Sequence, residues 1–101
     1  MRMIVFFDLP VLTDAQKRNY RLFHKFLIKT GFTMMQNSVY SKILLNANNI
    51  PSLRALIEEN APRAGSVCLM TITEKQFAGI EYLVGAKKSD VIDSAKRVIE
   101  L

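Results

Sequence analysis

Asp8 is the first residue in need of an explanation. It follows five consecutive apolar residues, Met3-Ile4-Val5-Phe6-Phe7, and stands two places before Pro10. Such a run, with Val, Ile and two Phe in it, reads as a short strand buried on both faces. Pro10 has no amide hydrogen and biases Leu9 toward an extended conformation, so the ladder stops there. A carboxylate at the end of a buried strand is held by a rigid frame and opens onto a loop. That is a place for a metal or a reacting group. The plainer alternative is a loop carboxylate capping nearby amides ahead of Pro10. No second acid lies near Asp8 in the sequence.

A second set of side chains is cationic. Wound at about 100° per residue, Lys17, Arg18, Arg21, His24, Lys25 and Lys29 fall on one arc. Tyr20, Leu22, Phe23, Phe26 and Leu27 fall on the opposite arc, and only Ile28 intrudes on the basic one. No acid follows Asp14 until well beyond this stretch. An ordinary solvated helix face, the alternative here, mixes signs and gains i,i+4 pairs. The Lys and Arg of this arc repel one another unless phosphates or a partner's acids lie close, so the arc is read as a nucleic-acid contact. It holds no aromatic for stacking on bases, which points to sequence-independent duplex binding. His24 lacks companion ligands and is read with the basic face, not as a metal ligand.

Nucleophilic chemistry has little to work with. Cys68 lies in the apolar stretch Val67 to Met70 and has no second cysteine to pair with. It is expected to be a buried small hydrophobe in a reducing cytoplasm. It is also far in sequence from His24, and no nucleophile or general base has a positioned partner.

These residues need a frame. With 101 residues the chain is long enough for one domain and one modest core. Half of it is apolar and the mean hydropathy is +0.12. In so short a chain, that implies apolar surface covered by a partner. The net charge of +5 and the pI of about 9.6 call for an anionic partner. The apolar runs are far too short to span a membrane. The first one stops at Asp8 without a small-residue cleavage site, so no signal peptide and no membrane are expected, and the location expected is cytoplasmic.

Thr13 and Gln16 form a capping-box pattern, Asp14 suits the positive end of a helix, and Gly31 is a left-handed stop. They predict a helix from about Asp14 to Lys29 or Thr30. Phe32–Gln36 and Val39–Leu45 read as strands of a tight hairpin turned at Asn37-Ser38. Asn46 to Asn49 supplies caps for a second helix that has Pro51 near its start and ends near Asn60. Leu53, Leu56 and Ile57 form its buried stripe. Ser66 to Thr73 is a second strongly apolar strand.

Strand, helix, strand, strand, helix, strand is the split βαβ order of the α+β ferredoxin-like fold, βαββαβ. That fold is a four-stranded antiparallel sheet with both helices on one face. The first and last strands lack polar alternation, so the open face is expected to be apolar as well. A two-fold symmetric homodimer packed through that face is the economical solution. Glu74-Lys75-Gln76 reads as a turn. Ile80 to Val84 reads as an additional strand ended by Gly85, added to an edge of the partner's sheet or to its own. The ferredoxin-like domain with its added strand then covers 1–85. A C-terminal tail covers 86–101, with Arg97-Val98-Ile99 a candidate short strand.

Together these residues resemble the CRISPR-associated protein 2 family, the small partner of the CRISPR integrase. The likeness spans nearly the whole chain. It rests on a first strand ending in Asp8 and on a basic helix that carries Arg18 and is closed by Gly31. It rests also on the hairpin Gln36-Asn37-Ser38-Val39-Tyr40, close to the family's Gln-x-Ser-Val-Phe pattern, and on a strand ending at Gly85. Thr73-Glu74-Lys75-Gln76-Phe77 looks most like the type II-A branch.

The resemblance implies a homodimer whose last strand crosses to the partner's sheet. It further implies that the dimer binds double-stranded DNA and bridges integrase dimers during acquisition of new spacers. Some members are magnesium-dependent endonucleases acting on RNA or double-stranded DNA, which implies Asp8 as metal ligand and catalytic residue. One or two carboxylates plus waters suffice for Mg2+, and a two-fold axis would supply the second carboxylate as the other copy's Asp8. Two facing carboxylates repel, so metal binding should depend on pH. Tyr40 stands where the family usually has Phe, which adds a hydroxyl in need of a partner. Phe7 stands where Tyr is commoner, so any role of that hydroxyl is absent. The alternative is a stand-alone metal-dependent endoribonuclease of toxin-like type, since this fold hosts many functions.

Overall fold

Alternation along the first strand sets the architecture. The computed structural model describes residues 1–85, so the expected tail over 86–101 lies outside the described residues. β1 (Arg2–Asp8) sends Met3, Val5 and Phe7 to one side, where together with Leu9 they enter the core. With a period of two, Arg2, Ile4, Phe6 and Asp8 belong to the other side. Met3, Ile4 and Val5 are buried as expected of a doubly covered strand. Phe6 is 37% exposed, because the described residues cover that part of the open face only partly.

α1 (Asp14–Thr30) starts and stops where its signals lie. The Gln16 amide donates to Thr13 Oγ1 at 3.1 Å, and the Thr13 amide donates to Gln16 Oε1 at 3.0 Å. At the other end Gly31 takes φ of 108° and its amide donates to the carbonyls of Ile28 and Leu27. A side chain is disfavoured there by that conformation, since the only close neighbour of an added Cβ is the movable end of Lys42. Phe23 and Leu27 are buried, and Tyr20 and Phe26 pack at the margin. Leu22, expected in the same arc, is 51% exposed, because the buried stripe is narrower than the apolar arc.

β2 (Thr33–Gln36) and β3 (Val39–Ile43) form the hairpin, with Ser38 at φ of 67° and a bulge between Met34 and Gln36. A 3₁₀ turn over Ala47–Asn49, capped by the Asn46 side chain, leads into α2 (Ile50–Asn60). Ile57 is its buried residue and Leu53 packs at the core margin, whereas Leu56 faces outward. β4 (Ser66–Ile72) completes a four-stranded sheet in the order β2-β3-β1-β4, with every pair antiparallel. Phe23, Leu27 and Ile57 meet Met3, Val5, Phe7 and Tyr40 in one core, so both long helices lie on one face. The expected ferredoxin-like order stands.

One expectation near the end of the domain is corrected, and one of two alternatives falls. Glu74 to Gln76 is not a turn but opens a short helix, α3 (Glu74–Ala78), under a second capping box from Thr73 and Gln76. Arg2 fastens it: Nε donates to both Glu74 carboxylate oxygens at 3.1 Å, and the guanidinium lies 4.0 Å from the Phe77 ring centroid. Among the described residues Ile80 to Val84 forms no strand and no fifth strand joins the sheet, so the alternative of pairing with its own sheet fails. This segment lies along the open face. There it borders, with Ile4, Phe6, Met35, Val39 and Met70, a shallow cavity of about 470 Å³. No helix among the described residues is long and apolar enough to cross a membrane.

Candidate nucleic-acid interface and carboxylate site

The outward face of α1 is the more fully built of the two sites. Lys17, Arg18, Arg21, Lys25 and Lys29 are all exposed. Among the described residues none of them joins an ion pair; the pairs found involve the N-terminus, Arg2 and Arg54. From Lys17 to Lys29 the helix rises about 18 Å. A length of duplex of about 18 Å carries roughly ten phosphate charges, so the face is matched in scale and in sign to a nucleic-acid backbone.

His24 leaves that arc. It is half-buried, and its Nδ1 lies 2.5 Å from the Tyr40 hydroxyl. Tyr40 is fully buried, with the Phe7 ring stacked on it at a centroid distance of 5.6 Å. The hydroxyl that the sequence left without a partner therefore has one. Burial, and then the nearby Tyr20, push the Tyr40 phenol above its ordinary value of 10.0. Tyr20 in turn shares a hydrogen bond of 3.1 Å with Ser38 Oγ at the hairpin turn. The basic helix is thus pinned to the sheet through its inner edge.

Asp8 ends β1 opposite Ser66, and its side chain is exposed. Among the described residues no amide donates to its carboxylate and no cation pairs with it, which leaves the capping alternative unsupported. Its main chain, by contrast, is firmly placed. The preceding amide, of Phe7, donates to the Ser38 carbonyl at 3.1 Å. On the other side Gly65, at φ of 87°, sits where a Cβ would run into the Asp8 carbonyl oxygen and lie 3.1 Å from Leu9. The one signal for this contact in the sequence is a glycine immediately before a strand that pairs with β1.

No group of three or more His, Cys, Asp or Glu among the described residues is placed to hold a metal ion. A lone carboxylate is a fit only for a cation that keeps most of its waters, as magnesium does. Asp8 also belongs to the open side of the sheet, whereas the basic arc faces away from the sheet on the helix side. One chain does not bring the two sites together. Cys68 is corrected too: it is exposed, because its partner in the β1–β4 register is Phe6 and both face the open side.

Architecture and surface define a small ferredoxin-like protein with an unpaired cationic helix and a single acid at the end of a central strand. The family of CRISPR associated protein Cas2 matches residues 1–80, and the chain belongs to that family. A protein of Treponema denticola named CRISPR-associated endoribonuclease Cas2 is 48% identical over the full length of both chains. One of the same name from Streptococcus mutans is 45% identical, covering all of this chain and 93% of its own. The crystal structure of Streptococcus pyogenes Cas2 at pH 6.5 superposes with a TM-score of 0.66 at 16% identity, covering 83% of this chain and 100% of its own. That likeness supports the fold.

Proposed function

We propose that this chain acts as a homodimer in CRISPR adaptation, binding double-stranded DNA and joining integrase dimers as new spacers are acquired. One observation carries the reading: the exposed cations of α1 have no acidic partner among the described residues. Phosphates are the groups that relieve such a face, and a two-fold axis doubles it.

The open side of the sheet supports the dimer. Phe6, Ile43 and Met70 lie on it and are all exposed. A second copy packed there would remove this apolar surface from water. β4 has a free edge in the sheet order, which Ile80 to Val84 of the other copy could extend.

The same axis would bring the two Asp8 carboxylates into one neighbourhood, and we assign phosphodiester cleavage to that pair. Mg2+ held there would supply Lewis-acid polarisation of a phosphoryl oxygen. The two Asp8 side chains would hold it, and the rigid β1 end would fix where they point. The relatives' name, endoribonuclease, favours RNA as the substrate of that second activity.

Two substitutions test the reading. Arg18→Glu together with Arg21→Glu should abolish duplex binding, whose logarithmic salt slope in the native dimer should be of order −4 to −6. Retained binding would end the scaffold reading. Asp8→Asn should eliminate metal-dependent cleavage and leave spacer acquisition intact. Loss of both together would mean that acquisition itself runs through the carboxylates.

A further inference from the structure

We propose that His24 contacts the nucleic-acid backbone as a neutral hydrogen-bond donor, its outer nitrogen committed to that role by the buried Tyr40 hydroxyl. The inference rests on the reading of α1 as the nucleic-acid face and names one more contact on it.

The hydrogen bookkeeping around Tyr40 has a single solution. The residue is fully buried and its hydroxyl has one hydrogen-bond partner among the described residues, His24 Nδ1 at 2.5 Å. If Nδ1 carried the ring hydrogen it would donate to the phenol oxygen, and the phenol hydrogen would be stranded among Phe7 and other apolar groups. With the phenol donating to Nδ1, every group is satisfied and the ring hydrogen sits on Nε2. Burial raises the phenol above its ordinary value, so it remains a donor. Nε2 has no protein partner among the described residues, and no buried side-chain nitrogen or oxygen there lacks one. Nε2 therefore opens to solvent.

Its location gives that donor a use. His24 follows Arg21 by three positions, so its outer edge emerges beside an exposed cation at the margin of the basic arc. The ring is held edge-on to Tyr40, with centroids 5.6 Å apart and an angle of 61°. A donor fixed in both tautomer and orientation gives up little freedom when a phosphate oxygen arrives.

A neutral donor and a cation leave different marks on binding. Replacing a cation removes a released counterion and flattens the salt slope by about 0.9 per contact, whereas a neutral donor releases none. Binding of a short mixed-sequence DNA duplex to the full chain, titrated with salt, reads both. His24→Phe should weaken binding by about tenfold with the slope unchanged. Arg21→Ala should weaken binding and flatten the slope. His24→Gln, whose amide both accepts from Tyr40 and donates outward, should restore most of the affinity. Nitrogen NMR of the neutral imidazole should show the hydrogen on Nε2 in the native chain and a mixture in Tyr40→Phe. Native affinity in His24→Phe, or a native spectrum with the hydrogen on Nδ1, overturns the inference. Should His24→Phe fail to fold, His24→Gln and the native spectrum still decide it. If Arg18→Ala and Arg21→Ala change neither affinity nor slope, the nucleic-acid face itself falls and His24 with it.

Discussion

Gly65 and Asp8 meet backbone to backbone. A Cβ on Gly65 would collide with the Asp8 carbonyl oxygen, and its φ of 87° already excludes most side chains. The segment feeding β4 therefore fixes the end of β1, and with it the origin of the lone carboxylate. Gly65→Ala must either strain this contact or push the two strand ends apart. We expect a loss of roughly 1–3 kcal/mol in stability, read by urea unfolding. Any metal-dependent cleavage should fall further than the stability loss alone explains, because the carboxylate moves with its backbone.

The Tyr40 phenol ties stability to alkaline pH. Its ionisation is raised in the folded chain by burial first and by Tyr20 second, from an ordinary value of 10.0. A group with a raised folded value contributes stability that is complete below its unfolded value and is lost as pH rises through the folded one. Native stability should therefore decline above about pH 10 more steeply than that of Tyr40→Phe. Unfolding followed at several alkaline pH values isolates Tyr40, because lysines and the remaining tyrosines are common to both chains. Parallel curves would mean that the buried hydroxyl does not govern the alkaline limb.

The ends of α1 and the order of elements were legible in the sequence, whereas the tertiary partners of single side chains were not. Thr13, Gln16 and Gly31 mark both ends of α1 because capping and left-handed stops are properties of four or five neighbouring residues. The same Thr-x-x-Gln signal at Thr73 opens α3, but only five residues of helix follow, and no buried stripe draws the eye to it. His24 looked like one more charge on an arc, since its partner Tyr40 lies on another element and is joined to it only by tertiary packing. Cys68 shows the limit of an apolar run. The run tells that both faces of a strand prefer cover, but not that one chain supplies only half of it. Asp8 and the five Lys and Arg of α1 were legible as separate sites, and their opposite sides of the sheet became visible only with the register.

Asp8 stands apart from the contacts that hold the fold. It makes no hydrogen bond or ion pair among the described residues and is exposed at a strand end. Asp8→Asn should change unfolding free energy by no more than about 0.5 kcal/mol. Cleavage that needs magnesium should vanish in the same protein. A large stability change would instead reveal a structural partner for the carboxylate.

The open side of the sheet gives the most direct test of assembly. Phe6 sits at its centre, between Val39 on β3 and Cys68 on β4, and is already 37% exposed in a single chain. A lysine there can still reach water within one chain, so Phe6→Lys should fold. In a two-fold dimer packed through this face, the same change places two like charges in one apolar contact. The dimer dissociation constant should rise by about a hundredfold or more, read by sedimentation as a shift to single chains. Leu45→Lys is the matching control: Leu45 is 97% exposed but lies beyond the end of β3, and its replacement should leave the dimer intact. If Phe6→Lys stays dimeric, the copies meet elsewhere. The two Asp8 carboxylates would then not share a cation, and cleavage would have to be carried by a single one.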